Sequence, residues 1–465
     1  MNFTDFTFWE VLIVGCLLWM VGRLVISRNT RGAGTFDKVA LLSLDLFLVA
    51  NVGVPTFLSF LTVSIGTYLW LFLITRDSRL KWTAPLLFAF QLSPLFYFKY
   101  SSFFLNDVCH AQIPSIKDLI IPAGLSFYTF QKVAFAVDTL QNKLPLPKPL
   151  DYLNFAGFFA QIVAGPIERR ADLLPQMEKF KLRWDLQRIN KGLNLIILGF
   201  FFKACLADNL SSLVVALRAN FENVYLIWAT NLCFGFQIYF DFAGYSFIAL
   251  GLGKVLGIEL TLNFRSPYWS TSIQEFWRRW HVTLSRWFRD YLYIPLGGGR
   301  TRFWFLNILI VFVVSGLWHG AGWNFILWGF IHGMALGLER ILKFLKIHAF
   351  LGWLSTSLIV FFAWMFFYET NGEMLAKKVS HLFTLKAYAL KNWNAAYDVM
   401  MTTETGLIFV MLGLCILVLL VELCDRSDDG PSYSPFFRFE CQAIMLVLTF
   451  FLAPVKSNGF IYFSF

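Results

Sequence analysis

Long apolar runs separated by short polar breaks dominate the pattern along the chain. The first extends from Phe8 to Ile26; others follow at about 39–53, 55–75, 83–100 and 118–137, with the break Arg76-Asp77-Ser78-Arg79-Leu80-Lys81 closing the third. Later runs lie at about 151–166, 191–217, 224–257, 303–318, 322–340, 351–369, 405–424 and 440–454. Because a helix needs about 20 residues to cross hydrocarbon, the pattern predicts an all-α polytopic membrane protein with roughly 10–13 transmembrane or re-entrant helices. The run 224–257 is too long for one perpendicular crossing, and Gly235, Gly244, Gly251 and Gly253 mark where it is expected to tilt, break or re-enter. No internal repeat emerges, which weakens a transporter built from paired halves. The expected organisation is one membrane-embedded domain over 1–465, with N-terminal spans in 1–150, a core in 151–340 and C-terminal spans in 341–465.

Composition agrees with a lipid solvent. Of 465 residues, 57% are hydrophobic and 15% charged, against about 25% charged in soluble domains. A single soluble globule is excluded, as are a disordered chain and a disulfide scaffold. The seven cysteines lack metal-ligand spacing and read as small core or lipid-facing residues, so no metal site is expected. The N-terminus carries Asp5 and Glu10 but no basic leader, so the first run reads as a retained span. Arg23, Arg28, Arg31 and Lys38 come within or after it, which by the positive-inside rule puts the N-terminus outside and the first loop in the cytoplasm.

Charge is concentrated. From Arg265 to Arg302, seven arginines and two acids give +5 in 38 residues, half of the chain's +10. A second basic loop runs from Arg169-Arg170 to Lys191, after the break Ala164-Gly165-Pro166-Ile167, and both loops are expected to be cytoplasmic. Within the first, Ser272-Ile273-Gln274-Glu275 has the form of a capping box, so a helix should start there and end by Pro295 and Gly297-Gly298-Gly299. At about 100° per residue, Ile273, Phe276, Trp277, Trp280, Leu284, Trp287, Phe288 and Tyr291 share one arc, opposite Glu275, Arg278, Arg279, Arg286, Arg289 and Asp290. Such a helix either anchors the protein on anionic headgroups or also receives a phosphate-rich donor. His281 lies at the edge of the apolar arc, where an imidazole could be aimed into a cavity.

His319 sits in the apolar context Gly316-Leu317-Trp318-His319-Gly320-Ala321-Gly322-Trp323. An ionisable group at membrane depth costs several kcal/mol unless it faces a wet cavity or finds partners, which makes His319 a candidate for chemistry. His332, thirteen residues on, either lines the same path or is structural. Imidazole suits general-base work near neutral pH. There is no G-x-S-x-G elbow, H-E-x-x-H, P-loop or dinucleotide fingerprint. A histidine base within the membrane, approached by a basic cytoplasmic funnel, suits transfer of an activated group to a hydroxyl.

The segments Tyr239-Phe240-Asp241-Phe242-Ala243-Gly244-Tyr245-Ser246, Asn263-Phe264, Glu275-Phe276-Trp277-Arg278-Arg279-Trp280-His281, Tyr291-Leu292-Tyr293-Ile294-Pro295-Leu296-Gly297-Gly298 and Gly316-Leu317-Trp318-His319-Gly320 together resemble the membrane-bound O-acyltransferase family, in its bacterial alginate O-acetylation branch. Gly165-Pro166-Ile167-Glu168-Arg169 resembles an upstream family element, whereas the last 125 residues carry little that matches. The resemblance implies helices around a central funnel, His319 and His281 as catalytic residues, and Asp241, Trp280, Trp318, Arg278, Arg279 and His332 supporting or lining the funnel. Asp241 either orients this network or pairs with an arginine. No cofactor is expected to be bound. The implied acyl donor is acetyl-coenzyme A or an acyl carrier protein thioester, and the acceptor an exported or cell-wall polysaccharide, reached directly or through a periplasmic acyltransferase; the chain itself is expected in the bacterial inner membrane. Besides these two, membrane lipids are the expected partners, and nucleic acid is not one. Phe247 departs from the pattern, since many alginate-type members carry an acid there. D-alanyl transfer to teichoic acid and peptidoglycan O-acetylation fit related motifs. A polysaccharide or lipid transporter and a recruiting scaffold are the readings from other classes.

Overall fold

The computed structural model describes residues 3–26, 33–111, 113, 119–163, 165–220, 222–342, 347–402, 407–424, 433–454 and 458–461. Arg28, Arg31 and Ala164, and positions 118, 405 and 406 of the expected runs, lie outside the described residues. The described secondary structure is helical, with no strand among the described residues, as the apolar pattern predicts. Five helices among the described residues have both the length and the hydropathy of a crossing: Phe6–Ile26, Val54–Arg76, Leu186–Arg218, Val224–Leu256 and Ala349–Tyr368. Of the other predicted runs, Ala33–Val52 and Trp323–Ile341 are continuous helices of 20 and 19 residues, and several fold into shorter pieces. Trp304–His319 has 16 residues and Phe439–Leu452 has 14; at about 1.5 Å per residue both fall short of a hydrocarbon core of about 30 Å.

The chain divides into two compact units, one comprising Met1–Ile196 and Ile248–Thr261, the other Ile197–Phe247 and Leu262–Phe465. In the first unit, α1 (Phe6–Ile26), α2 (Ala33–Val52), α3 (Val54–Arg76), α4 (Ala84–Leu95) and α5 (Leu125–Gln141) are followed by the short α6 (Pro149–Gly157), α7 (Phe159–Ile162) and α8 (Arg170–Glu178). Two of its buried acids have clear partners. Asp37 accepts from Arg23 at 2.9 Å and from the Trp19 indole at 3.1 Å, and Glu168 accepts from the Thr261 N–H at 2.6 Å.

The second unit contains α10 (Asp208–Arg218), α11 (Val224–Leu256) as far as Phe247, α12 (Ile273–Arg279), α13 (Val282–Phe288), α14 (Trp304–His319), α15 (Trp323–Ile341) and α16 (Ala349–Tyr368), with the end of α9 (Leu186–Phe200) leading in. The helices α17 (Gly372–Leu382), α18 (Leu390–Met400), α19 (Ile408–Cys424) and α20 (Phe439–Leu452) complete it. Two expectations are corrected. First, the run 224–257 does not break: α11 is one uninterrupted helix of 33 residues. Its glycines mark close helix crossings: a Cβ on Gly244 would lie 2.8 Å from the Gly199 carbonyl oxygen. Second, the amphipathic helix is divided. The α12 segment stops at Arg279, and His281 adopts left-handed backbone angles (φ 43°, ψ 55°) before α13 begins.

Long-range pairing explains that division. The Val282 N–H donates to the Asn263 carbonyl at 2.9 Å and the Arg265 N–H to the Arg279 carbonyl at 3.0 Å, drawing the chain out of helical hydrogen bonding. The start of α12 forms as the Ser-x-x-Glu pattern predicts, with the Ser272 hydroxyl accepting from the Glu275 N–H at 3.0 Å. The Glu275 carboxylate reaches back to the Thr271 N–H at 2.8 Å, and Glu339 of α15 accepts from the Ile273 N–H at 2.6 Å. A carboxylate at the positive end of a helix is favourable.

Candidate active site

The helical hairpin α14–α15 sets the position of His319. A Cβ on Gly316 would lie 2.1 Å from the Phe325 carbonyl oxygen, and one on Gly329 2.2 Å from that of Phe312, so only glycine permits this backbone approach. His319 ends α14, while Trp328 and His332 stand four residues apart on one face of α15. The Trp328 ring centroid is 5.0 Å from that of His319 and 4.8 Å from that of His332. Phe367 closes on His319 at 5.2 Å, and Phe276 and Trp277 flank His332 at 6.3 and 5.1 Å.

On the other side, Trp318 lies 4.9 Å from His319 and 6.0 Å from His281. The three histidines therefore belong to one buried series of rings, His281, Trp318, His319, Trp328 and His332, each at most 2% exposed. Trp280 packs beside it against Phe276 at 5.5 Å and Trp364 at 5.0 Å. The sequence places His281 and His319 as candidates, and the fold brings them together through Trp318.

Hydrogen bonding fixes the chemistry of His281. Its Nδ1 is 3.1 Å from Asn263 Oδ1, which also accepts from the Thr283 N–H at 3.2 Å and the Thr283 hydroxyl at 3.0 Å. A backbone N–H only donates, so the Asn263 atom is the carbonyl oxygen, and Nδ1 of His281 carries the proton. Burial pushes this imidazole, which lies outside the five crossing-length helices, down to about 3. The ring is then neutral at physiological pH, and Nε2 is its basic nitrogen.

The supporting residues separate. Arg278 is exposed, whereas Arg279 is buried, donating to Glu275 at 2.9 Å and to the Arg265 carbonyl at 3.1 Å. Arg279 braces the division between α12 and α13. Arg289, Arg300 and Arg302 are exposed with Arg278, so the cationic surface is carried by four arginines of the seven. Asp241 pairs with Lys203 rather than with an arginine, at 2.6 Å. Lys203 also donates to Asp208 at 2.7 Å, and all three are at most 2% exposed. Phe247, at the departing position, is buried against Phe202 at 5.5 Å and Tyr433 at 4.8 Å, a place in the aromatic core.

Sequence reasoning gave no role to Lys203, Asn263 or Glu422. The signal for Lys203 and Glu422 was a charged side chain inside an apolar run. Both are buried, Lys203 in its acid pair and Glu422 accepting from the Tyr239 hydroxyl. Asn263 stood out in the sequence only as part of the Asn263-Phe264 segment of the resemblance, with no role of its own.

The model of the membrane-bound O-acyltransferase family matches residues 46–376, which include every ring of this series. The chain belongs to the membrane-bound O-acyltransferase family. As a member it is an acyltransferase and a multi-pass membrane protein, which sets aside the transporter and scaffold readings. It is 32% identical to a peptidoglycan O-acetyltransferase of Helicobacter pylori, the match covering 81% of each chain. It is 35% identical to a probable alginate O-acetylase of Azotobacter vinelandii over 66% of this chain and 64% of that one. A teichoic acid D-alanyltransferase of Streptococcus thermophilus is 30% identical over 46% of this chain and 55% of its own.

Proposed function

We propose that this membrane-bound O-acyltransferase moves an acetyl group from a cytoplasmic thioester, acetyl-coenzyme A or an acyl carrier protein, to a hydroxyl of a cell-wall or exported polysaccharide. His319 is the general base. The observation that carries this reading is the buried ring series that joins His319 to a neutral, oriented His281. His319 accepts the proton of the attacking hydroxyl as its oxygen bonds to the thioester carbonyl carbon. The C–S bond then breaks, and the thiolate takes up that proton as it leaves. His281 positions the thioester or relays the proton through Nε2, and Trp280, Trp318 and His332 line the path. The exposed Arg278, Arg289, Arg300 and Arg302 form the entrance for an anionic donor, with the N-terminus outside and this face in the cytoplasm of the bacterial plasma membrane. A periplasmic acyltransferase that carries the acetyl group onward would present the same kind of hydroxyl to His319.

Match length favours a cell-wall glycan as acceptor, since the peptidoglycan-acetylating relative is matched over 81% of this chain and the alginate-type relative over 66%. The test is base-labile acetate measured separately on purified peptidoglycan and on exported polysaccharide, in cells with and without the gene. Loss of acetate from peptidoglycan is expected. Unchanged acetate in both fractions, or loss of D-alanine esters instead, would overturn the proposal.

A further inference from the structure

We propose that the segment Asn458–Ile461 forms a wall of the His281 site and that Lys203 and Asp241 are positioning residues that hold it there. The inference rests on the reading of His281 as part of the active site. Four contacts fix the segment. Lys203 donates to the Asn458 carbonyl at 3.0 Å, and the Ile461 N–H donates to Asp241 at 2.8 Å. Between these two backbone anchors Phe460 is fully buried, its ring 5.5 Å from Phe242 and 4.6 Å from Tyr245. Phe242 in turn meets the His281 ring edge-on at 4.6 Å.

The arrangement joins three observations that the reaction itself does not require. Lys203 binds Asp208 and Asp241 at 2.7 and 2.6 Å and still directs a proton at a main-chain carbonyl. The second oxygen of Asp241 is committed to a main-chain N–H. An ion pair at membrane depth is costly to assemble, and its value here is that both charged groups address the backbone of one distant segment. Phe460 is thereby pressed on Phe242, and Phe242 packs edge-on against the His281 ring. The acid of the Tyr-Phe-Asp-Phe run thus acts on His281 through Phe460 and Phe242. Lys203→Met would release Asn458 and leave two buried carboxylates without their cation, whereas Lys203→Arg retains the charge.

The test is a double-mutant cycle on initial acetyl transfer from radiolabelled acetyl-coenzyme A in membranes containing equal amounts of full chain. Phe460→Ala is expected to lower kcat about tenfold with KM for acetyl-coenzyme A unchanged, a loss of about 1.4 kcal/mol in transition-state stabilisation. In the His281→Ala background the same substitution should change nothing further. Lys203→Met should follow Phe460→Ala, and Lys203→Arg should recover most of the rate. Full additivity of Phe460→Ala with His281→Ala, or a native rate for Phe460→Ala, would overturn the inference. A native rate for His281→Ala would instead overturn the reading of the site. Should Lys203→Met fail to accumulate, Phe460→Leu, which keeps an apolar side chain without the ring, supplies the same cycle.

Discussion

Asn263 should control the rate without touching substrate. Replacing it by leucine removes the oxygen that accepts from His281 Nδ1, the Thr283 N–H and the Thr283 hydroxyl, at 3.1, 3.2 and 3.0 Å. Asn263 is fully buried and Thr283 is 5% exposed, so water cannot replace that acceptor. A buried donor left unsatisfied costs about 1–3 kcal/mol. The hydroxyl can rotate but the N–H cannot, so the fold should lose roughly 2–4 kcal/mol. The catalytic loss has a different origin. With Nδ1 unanchored, the proton is no longer confined to that nitrogen, and the ring loses the bond that orients it among Phe242, Phe264 and Trp318. Loss of an orienting hydrogen bond of about 1.4 kcal/mol corresponds to roughly a tenfold lower rate. The assay is acetyl transfer from radiolabelled acetyl-coenzyme A by purified protein, with thermal unfolding recorded on the same sample. Asn263→Leu should fall in both. Thr283→Val, which removes one donor and leaves the His281 bond in place, should retain most of the rate. A rate within twofold of native for Asn263→Leu would refute the assignment of the tautomer and the role given to it.

Other substitutions probe separate parts of the account. Gly329→Ala should separate α14 from α15, lowering both stability and activity, because the added Cβ meets the Phe312 carbonyl oxygen at 2.2 Å; Gly413→Ala in α19, with nothing within 4 Å, should be neutral or stabilising in the same thermal measurement. His332→Phe should leave thermal stability intact or higher, since neither buried ring nitrogen has a hydrogen-bond partner among the described residues, while the transfer rate falls about tenfold or more for loss of the ring nitrogens. Glu369, just beyond α16, bears on acid stability. Burial raises its carboxyl, but Lys378 at 2.7 Å, the Asn371 N–H and Arg218 outweigh burial and hold it below its ordinary 4.5, whereas burial lowers Lys378 despite the same contact. The stabilisation contributed by Glu369 is therefore present at neutral pH and is lost as pH falls below 4.5 through the lower folded value; Glu369→Gln should flatten that part of a thermal midpoint against pH curve.

What was legible in the sequence follows the range of the forces involved. Apolar runs identify α1 and α16 closely because burial in lipid acts on every residue of the run. Of the predicted apolar arc, Ile273, Phe276, Trp280, Leu284 and Phe288 are buried, whereas Trp277, Trp287 and Tyr291 are half-buried. The left-handed turn at His281 is not readable from that periodicity, since its cause is a pairing with Asn263 and Arg265 more than a dozen residues upstream. Arg279 shares the polar arc with Glu275, its i,i+4 partner, and is nevertheless buried because the paired chain segment at Arg265 accepts from it. Glycines in α11 read as places to tilt, break or re-enter because sequence cannot distinguish a break from a close neighbour. The Lys203–Asp241 pair joins two different apolar runs, so its charges were visible and their partnership was not.

The most direct test of the central claim is the rate of acetyl transfer by His319→Ala, measured with radiolabelled acetyl-coenzyme A in membranes containing as much full-length protein as the native control. General-base catalysis is worth about 10²–10⁴ in rate. The account predicts a loss of at least about a hundredfold, together with loss of base-labile acetate from the polysaccharide. A rate within a few-fold of native, with the glycan still acetylated, would contradict it.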